Sequence, residues 1–220
     1  MGARDRFVRI RMELEAHVRG VLKTFGIRLA AIGHGRRRQR FRDQLSVARQ
    51  TDPALATIID HVLPSHEALC VAAAALEDEI MAVAKRHDLS RRLMTIPGVG
   101  PVVALSFLAL IETTDRFPNT ANVGAFLGLT PRRYQSGEVD YSGRISKRGD
   151  ATMRRLLYEA ASTLISRVKR YSPLKSWAVR LAARRGFKKA AVATARKLAV
   201  LMLTLWKTGE EFHWGKEAKV

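Results

Sequence analysis

Residues 94–112 read Met94-Thr95-Ile96-Pro97-Gly98-Val99-Gly100-Pro101-Val102-Val103-Ala104-Leu105-Ser106-Phe107-Leu108-Ala109-Leu110-Ile111-Glu112. Two glycines between two prolines make a tight turn. A short amphipathic segment, Leu89 to Thr95, precedes the turn, and an apolar helix, Val102 to Glu112, follows it. This is the layout of a helix-hairpin-helix element. Gly98 and Gly100 would let the hairpin backbone approach a phosphate, and the following helix offers free amides at its N-terminus. Such a contact binds duplex without reading sequence. The plainer alternative is a tight turn with no ligand.

Working outward from the hairpin, further helices are expected at Ala121 to Phe126, Ala151 to Val168, Leu174 to Arg185 and Lys188 to Lys207, with Asp150 as the N-cap of the second of these. No strand pattern of comparable strength occurs, so the fold class is all-α. Upstream, Phe7, Ile10, Leu14, Val18, Val21 and Phe25 follow heptad spacing, and Gly26 suits the end of that helix. Residues 33–38, Gly33-His34-Gly35-Arg36-Arg37-Arg38, read as a basic loop before a second helix over Phe41 to Gln50. Asp52 and Pro53 then cap and start a long helix to about His87, kinked or interrupted at Pro64. Its stripe of Leu69, Ala73, Leu76, Ile80 and Val83 suggests an antiparallel helical pair with the first helix. That pair could pack on itself or form a dimer interface.

A composition shift at Arg91 divides the chain. Residues 1–90 are expected to form a coiled-coil, helical oligomerisation segment, and 91–220 a compact helical domain, with a core over about 91–170 and a basic helical tail over 171–220.

The 39 Lys and Arg outnumber the 20 Asp and Glu, for a formal charge of +19. That excess calls for a polyanion, and nucleic acid is the commonest one. No helix separates a continuous basic face from a large aromatic one, so a membrane surface fits poorly. The most apolar stretch, Ala190 to Trp206, is broken by Arg196-Lys197 and is a poor membrane span. With one cysteine, Cys70, read as a buried helical side chain, and no apolar leader over Met1 to Arg11, the expectation is a cytoplasmic protein. The histidines show no zinc spacing and the acids no carboxylate cluster, so no metal site is expected within the chain. Trp177, Trp206 and Trp214 read as packing residues.

Downstream of the hairpin, residues 131–149 place Ser136-Gly137 between two basic clusters in what should be an exposed loop. Arg132, Arg133, Arg144, Lys147 and Arg148 could hold phosphate oxygens, and Arg154, one turn inside the next helix, could add to them. Ser136, Ser142 and Ser146 are the available hydroxyls. The glycine after Ser136 leaves room for a phosphodiester, but no nearby histidine could deprotonate it.

These residues resemble the transposases of the insertion sequence 110, 116 and 902 group. The resemblance is carried by Met94 through Pro101, Arg116-Phe117, Ala125-Phe126-Leu127-Gly128-Leu129-Thr130-Pro131, Gln135-Ser136-Gly137, Gly143 through Asp150, and Arg155-Leu156-Leu157. The segment from His17 to Gly26 resembles what precedes that domain. The resemblance implies DNA transposition with Ser136 as nucleophile, beside an N-terminal RuvC-like domain whose four acidic residues bind magnesium. It also implies an oligomer, here through residues 4–87, and a structured guide RNA. The RuvC-like domain is missing from this sequence, so no cofactor is expected within the chain and magnesium only with that domain. Two readings follow: a transposase fragment in which Ser136 attacks a DNA phosphodiester, or a non-catalytic nucleic-acid-binding or oligomerisation remnant.

Overall fold

The computed structural model describes residues 2–30, 33, 35–136 and 139–215; His34, Gly137, Glu138 and the Ser142 side chain lie outside them. The regular elements among the described residues are helices apart from one two-stranded sheet, in keeping with the all-α reading. They divide into two compact units, Met1–Ile80 and Met81–Val220, a division about ten residues before the composition shift at Arg91.

In the first unit, α1 is Gly2–Thr24, α2 is Arg36–Ala48, and α3 is Pro53–Arg86, of which the residues to Ile80 belong here. Asp52 caps α3, its carboxylate accepting from the Ala54 amide at 2.7 Å. The helix runs through Pro64 without interruption. α2 begins at Arg36, inside the stretch expected to be loop, because nothing in Arg36-Arg37-Arg38 opposes helix once the chain is past Gly35, whose φ is +58°.

Paired residues set the directions. Arg4 bonds Glu77 and Glu15 bonds His66, so α1 and α3 run antiparallel; Arg42 meets Glu67 and Arg49 meets Asp60, so α2 and α3 do as well. The buried line of α1 is Arg11, Glu15, Val18 and Leu22. It is offset from the apolar spacing read off the sequence, and Phe25, the last residue of that stripe, is 44% exposed. Two charged residues can occupy the buried line because each has a counterpart: Arg11 Nε lies 3.5 Å from Glu15, which lies 2.9 Å from the fully buried His66 ring. Such pairing offsets desolvation without adding much net stability. Cys70 is buried on α3, beside His66.

Arg49 holds the exposed Asp60 carboxyl below the usual carboxylate range through a hydrogen bond of 2.5 Å. A depressed carboxyl stabilises the fold above its unfolded pKa, and that contribution is lost as pH falls through the folded value. The pair is screened by water, so Asp60→Asn is expected to leave the melting temperature at neutral pH nearly unchanged. Acid titration of the Asp60 carboxyl by NMR should give a midpoint below about 3.9, and Arg49→Ala should restore it.

The second unit is built around α9, Phe187–Thr208, which buries Ala190, Ala191, Ala195, Leu198, Leu201 and Leu205 among others. Around it pack α4 (Asp88–Leu93), α6 (Asn122–Phe126), α7 (Ala151–Ser166) and α8 (Pro173–Arg185), with α5 (Pro101–Ile111) against α7. Each expected helix from Leu89 onward is therefore present. The sequence reading of 171–220 as a basic tail needs correcting. The cations of α9 occupy one side, and its alanines and leucines let neighbouring helices come close on the other, so α9 lies inside the core. Trp177, Trp206 and Trp214 all pack at the rim of this core, as the sequence reading has them.

Candidate nucleic-acid interface

Where a loop was expected, β1 (Pro131–Ser136) pairs antiparallel with β2 (Val139–Ile145) as a hairpin. The hairpin buries little, since every residue of β1 is exposed. Its stability comes from backbone pairing and from Tyr134 and Tyr141, directly opposed and stacked with ring centroids 4.9 Å apart. Gly143 faces the Tyr134 ring, where a Cβ would already be tight at 3.0 Å.

The roots of the hairpin are locked to the core by two glycines. Gly128 has φ +66°, and a Cβ there would lie 2.6 Å from the Arg148 amide nitrogen; one on Gly149 would lie 2.5 Å from the Leu127 carbonyl carbon. The two backbones cross too closely for any side chain, and Lys147, whose φ is +57°, donates its amide to Gly128 O at 3.1 Å across the same crossing. Asp150 then caps α7 by accepting from the Met153 amide at 2.5 Å.

Ser136 sits exposed at the last position of β1, paired with Val139. Strand alternation places Arg132 and Tyr134 on the Ser136 side and Arg133 on the other, so the cations do not encircle the hydroxyl as the linear sequence suggested. Arg132 also donates to Ser146 O at 3.2 Å, which ties its guanidinium to the hairpin root. Arg144, Lys147 and Arg148 are exposed.

Arg154 has a different place. Its Nη1 donates to Leu127 O at 3.3 Å and to Gly149 O, so it braces the two segments that cross. It is a positioning residue for the hairpin. Charge-assisted hydrogen bonds contribute roughly 1.5–3 kcal/mol each, so Arg154→Ala is expected to cost about 2 kcal/mol, lowering the melting temperature by roughly 4–8 °C. Gly98 is likewise turned inward: with φ +89°, its Cβ position falls on the Ala160 carbonyl of α7. Gly100, the N-cap of α5, has open space at its Cβ position. Both glycines are partly exposed, but only Gly100 has room for a side chain.

The sequence reading missed Gly128, Gly149 and the Tyr134–Tyr141 pair. The tyrosines are separated by the turn, and only the register brings them together; the glycines show no signal until the crossing is seen.

Residues 90–176 match the model of the transposase IS116/IS110/IS902 family. Over 222 residues, covering 96% of this chain and 58% of the relative, the chain is 32% identical to the transposase for insertion sequence element IS1111A of Coxiella burnetii. It is 29% identical over 161 residues, 73% of this chain and 48% of the relative, to the transposase for insertion sequence element IS1328 of Yersinia enterocolitica. The chain thus spans about half the length of these curated relatives.

Proposed function

The chain belongs to the transposase IS116/IS110/IS902 family, and we propose that it supplies the DNA-holding and nucleophilic part of an insertion-sequence transposase. The observation that carries this is the position of Ser136: an exposed hydroxyl at the last residue of β1, in a hairpin whose roots are fixed to the helical core. Arg132, Arg144, Lys147 and Arg148 hold the DNA backbone along the hairpin toward its root, and the Gly100 end of α5 offers a second backbone contact in a helix-hairpin-helix manner.

In the proposed step a base takes the Ser136 proton and Oγ attacks a backbone phosphorus. An Oγ–P bond forms as the bond to one sugar oxygen breaks. That oxygen takes up the proton and leaves as a free hydroxyl, while the other strand end stays joined to the protein as a phosphodiester. Guanidinium groups stabilise the charge that builds on the phosphate.

Magnesium belongs to the RuvC-like domain with which this chain would work. Among the described residues no three His, Cys, Asp or Glu side chains come together as a metal site. The partners proposed are DNA, a structured guide RNA and further copies of the chain joined through residues 4–87. No helix among the described residues is long and apolar enough to cross a membrane, and we place the protein in the cytoplasm with its DNA.

The test is a denaturing gel for a covalent protein–DNA adduct, using the element's ends, guide RNA and magnesium, with and without a RuvC-like domain in trans. An adduct lost in Ser136→Ala supports the assignment. Salt-sensitive binding without any adduct, with the added domain shown to be folded, favours a non-catalytic binding module.

A further inference from the structure

A groove of about 1240 Å³ opens between the second strand of the hairpin and the helices α8 and α9. It exceeds the roughly 300–1000 Å³ of a small-molecule pocket. Six cations line it, Arg144, Lys147, Lys188, Lys189, Arg196 and Lys197, and no carboxylate does among the described residues. Its apolar lining comes from Leu129, Ile145, Val192, Val200 and the half-buried indole of Trp177. Lys197 Nζ lies 4.9 Å from the centre of that ring.

This combination restricts the occupant. The cations need an anion that repeats along the groove, and the apolar lining needs flat or greasy groups to cover it. A duplex presents phosphates outward but keeps its base faces stacked on one another, so it would satisfy the cations and leave the indole bare. An unpaired strand offers both phosphates and free π-faces.

We infer that this groove binds an unpaired nucleic-acid segment, with a base stacked on Trp177 and the flanking phosphates held by Lys188, Lys189 and Lys197. The inference rests on the nucleic-acid partner proposed above and is independent of Ser136. The stacking base takes the place of the Lys197 ammonium over the ring, and the ammonium turns to a phosphate. The site adjoins the nucleophile's hairpin through Arg144 and Ile145 of β2, so a strand held here leads toward the exposed face of that hairpin.

The full chain can be tested by fluorescence anisotropy with a labelled oligothymidine of about 12 nucleotides, within the 4–16 typical of single-strand sites, and with a duplex of equal length. Trp177→Ala is expected to weaken single-strand binding roughly 5- to 150-fold, while Trp177→Phe, which keeps a stacking ring, retains most of it. Duplex affinity should change less than about twofold, since no duplex base reaches the ring. The double variant Lys188→Glu/Lys189→Glu alters only exposed side chains, so it reports on the groove even if the tryptophan variant unfolds. It should reduce the slope of log affinity against log salt for the single strand by about 1.4. Equal losses for both ligands, or no loss for either, would overturn the inference. If the wild-type chain binds duplex alone, the groove assignment fails and the DNA-binding proposal stands; if it binds neither, both fail. Displacement of the oligonucleotide by phosphatidylserine vesicles, with vesicle binding lost in the same variants and single-strand affinity unchanged in them, would assign the groove to lipid and overturn the inference.

Discussion

Ser136→Ala is expected to abolish the covalent adduct altogether while leaving DNA affinity and its salt dependence within about twofold of wild type, because a hydroxyl releases no counterions. Removing a nucleophile eliminates the bond it forms, so the expected loss reaches the detection limit of the gel, unlike the graded loss from trimming a contact. Ser136 is exposed at a strand end and its side chain packs against nothing in the core, so the substitution should leave the melting temperature unchanged. The opposite pattern is expected of Arg132→Ala, which removes a phosphate-binding charge and the bond to Ser146 O but leaves the nucleophile in place. It should weaken binding and lower the salt slope by about 0.9 while a reduced adduct persists at high protein concentration. An adduct that survives in Ser136→Ala would move the chemistry to another hydroxyl and overturn the assignment.

Gly98→Ala is expected to be strongly destabilising to the second unit. The residue has φ +89°, where an L side chain is strained by roughly 1–2 kcal/mol, and its Cβ would fall on the Ala160 carbonyl of α7, with Leu164 N at 3.3 Å. Both neighbours are helix backbone and cannot rotate away, so overpacking adds roughly 1–3 kcal/mol more. A total of about 3 kcal/mol should lower the melting temperature by roughly 6–12 °C. Gly100→Ala two residues later meets open space at a φ of −99°, which alanine adopts without strain, and should melt close to wild type. The pair separates two roles that the sequence cannot. A stable Gly100→Ala protein with weakened duplex binding would support a phosphate contact at α5. A Gly98→Ala protein as stable as wild type would show that the turn does not pack on α7 as described.

Helices were legible wherever local signals agreed. Asp52-Pro53 and Asp150 mark helix starts through side-chain acceptors that serve amides within the same turn, and they do so in the structure. The helices from α4 to α9 follow the same logic of apolar runs ended by glycine, proline or charge. The hairpin was not legible. Its strands carry arginine, glutamine and serine on exposed positions, so no alternation of apolar and polar residues marks them, and only pairing between strands makes them visible. The buried line of α1 escaped for a related reason. Arg11 and Glu15 look like solvent-facing residues until His66, fifty-one positions from Glu15, supplies the partner that lets them be buried.

The candidate site shows the same division. Residue types were readable: a serine before a glycine, arginines on both sides of it, and a net charge that demands a polyanion. Which arginines serve the ligand and which serve the fold was not. Arg154 turns toward the Leu127 and Gly149 carbonyls, and Arg133 lies across the strand from Ser136. Trp177 packs against the core, as the sequence reading has it, and its remaining surface borders a cation-lined groove beside Lys197, which the sequence does not show.

By itself, the sequence determined the all-helical class, the caps, the charge and the family of this protein, because each rests on residues near one another or on the composition of the chain. Only the tertiary structure decided which glycines are crossings, which cations are braces and which tryptophan borders a groove. Those roles depend on what a side chain meets across the fold, and contacts between distant positions have no local signature.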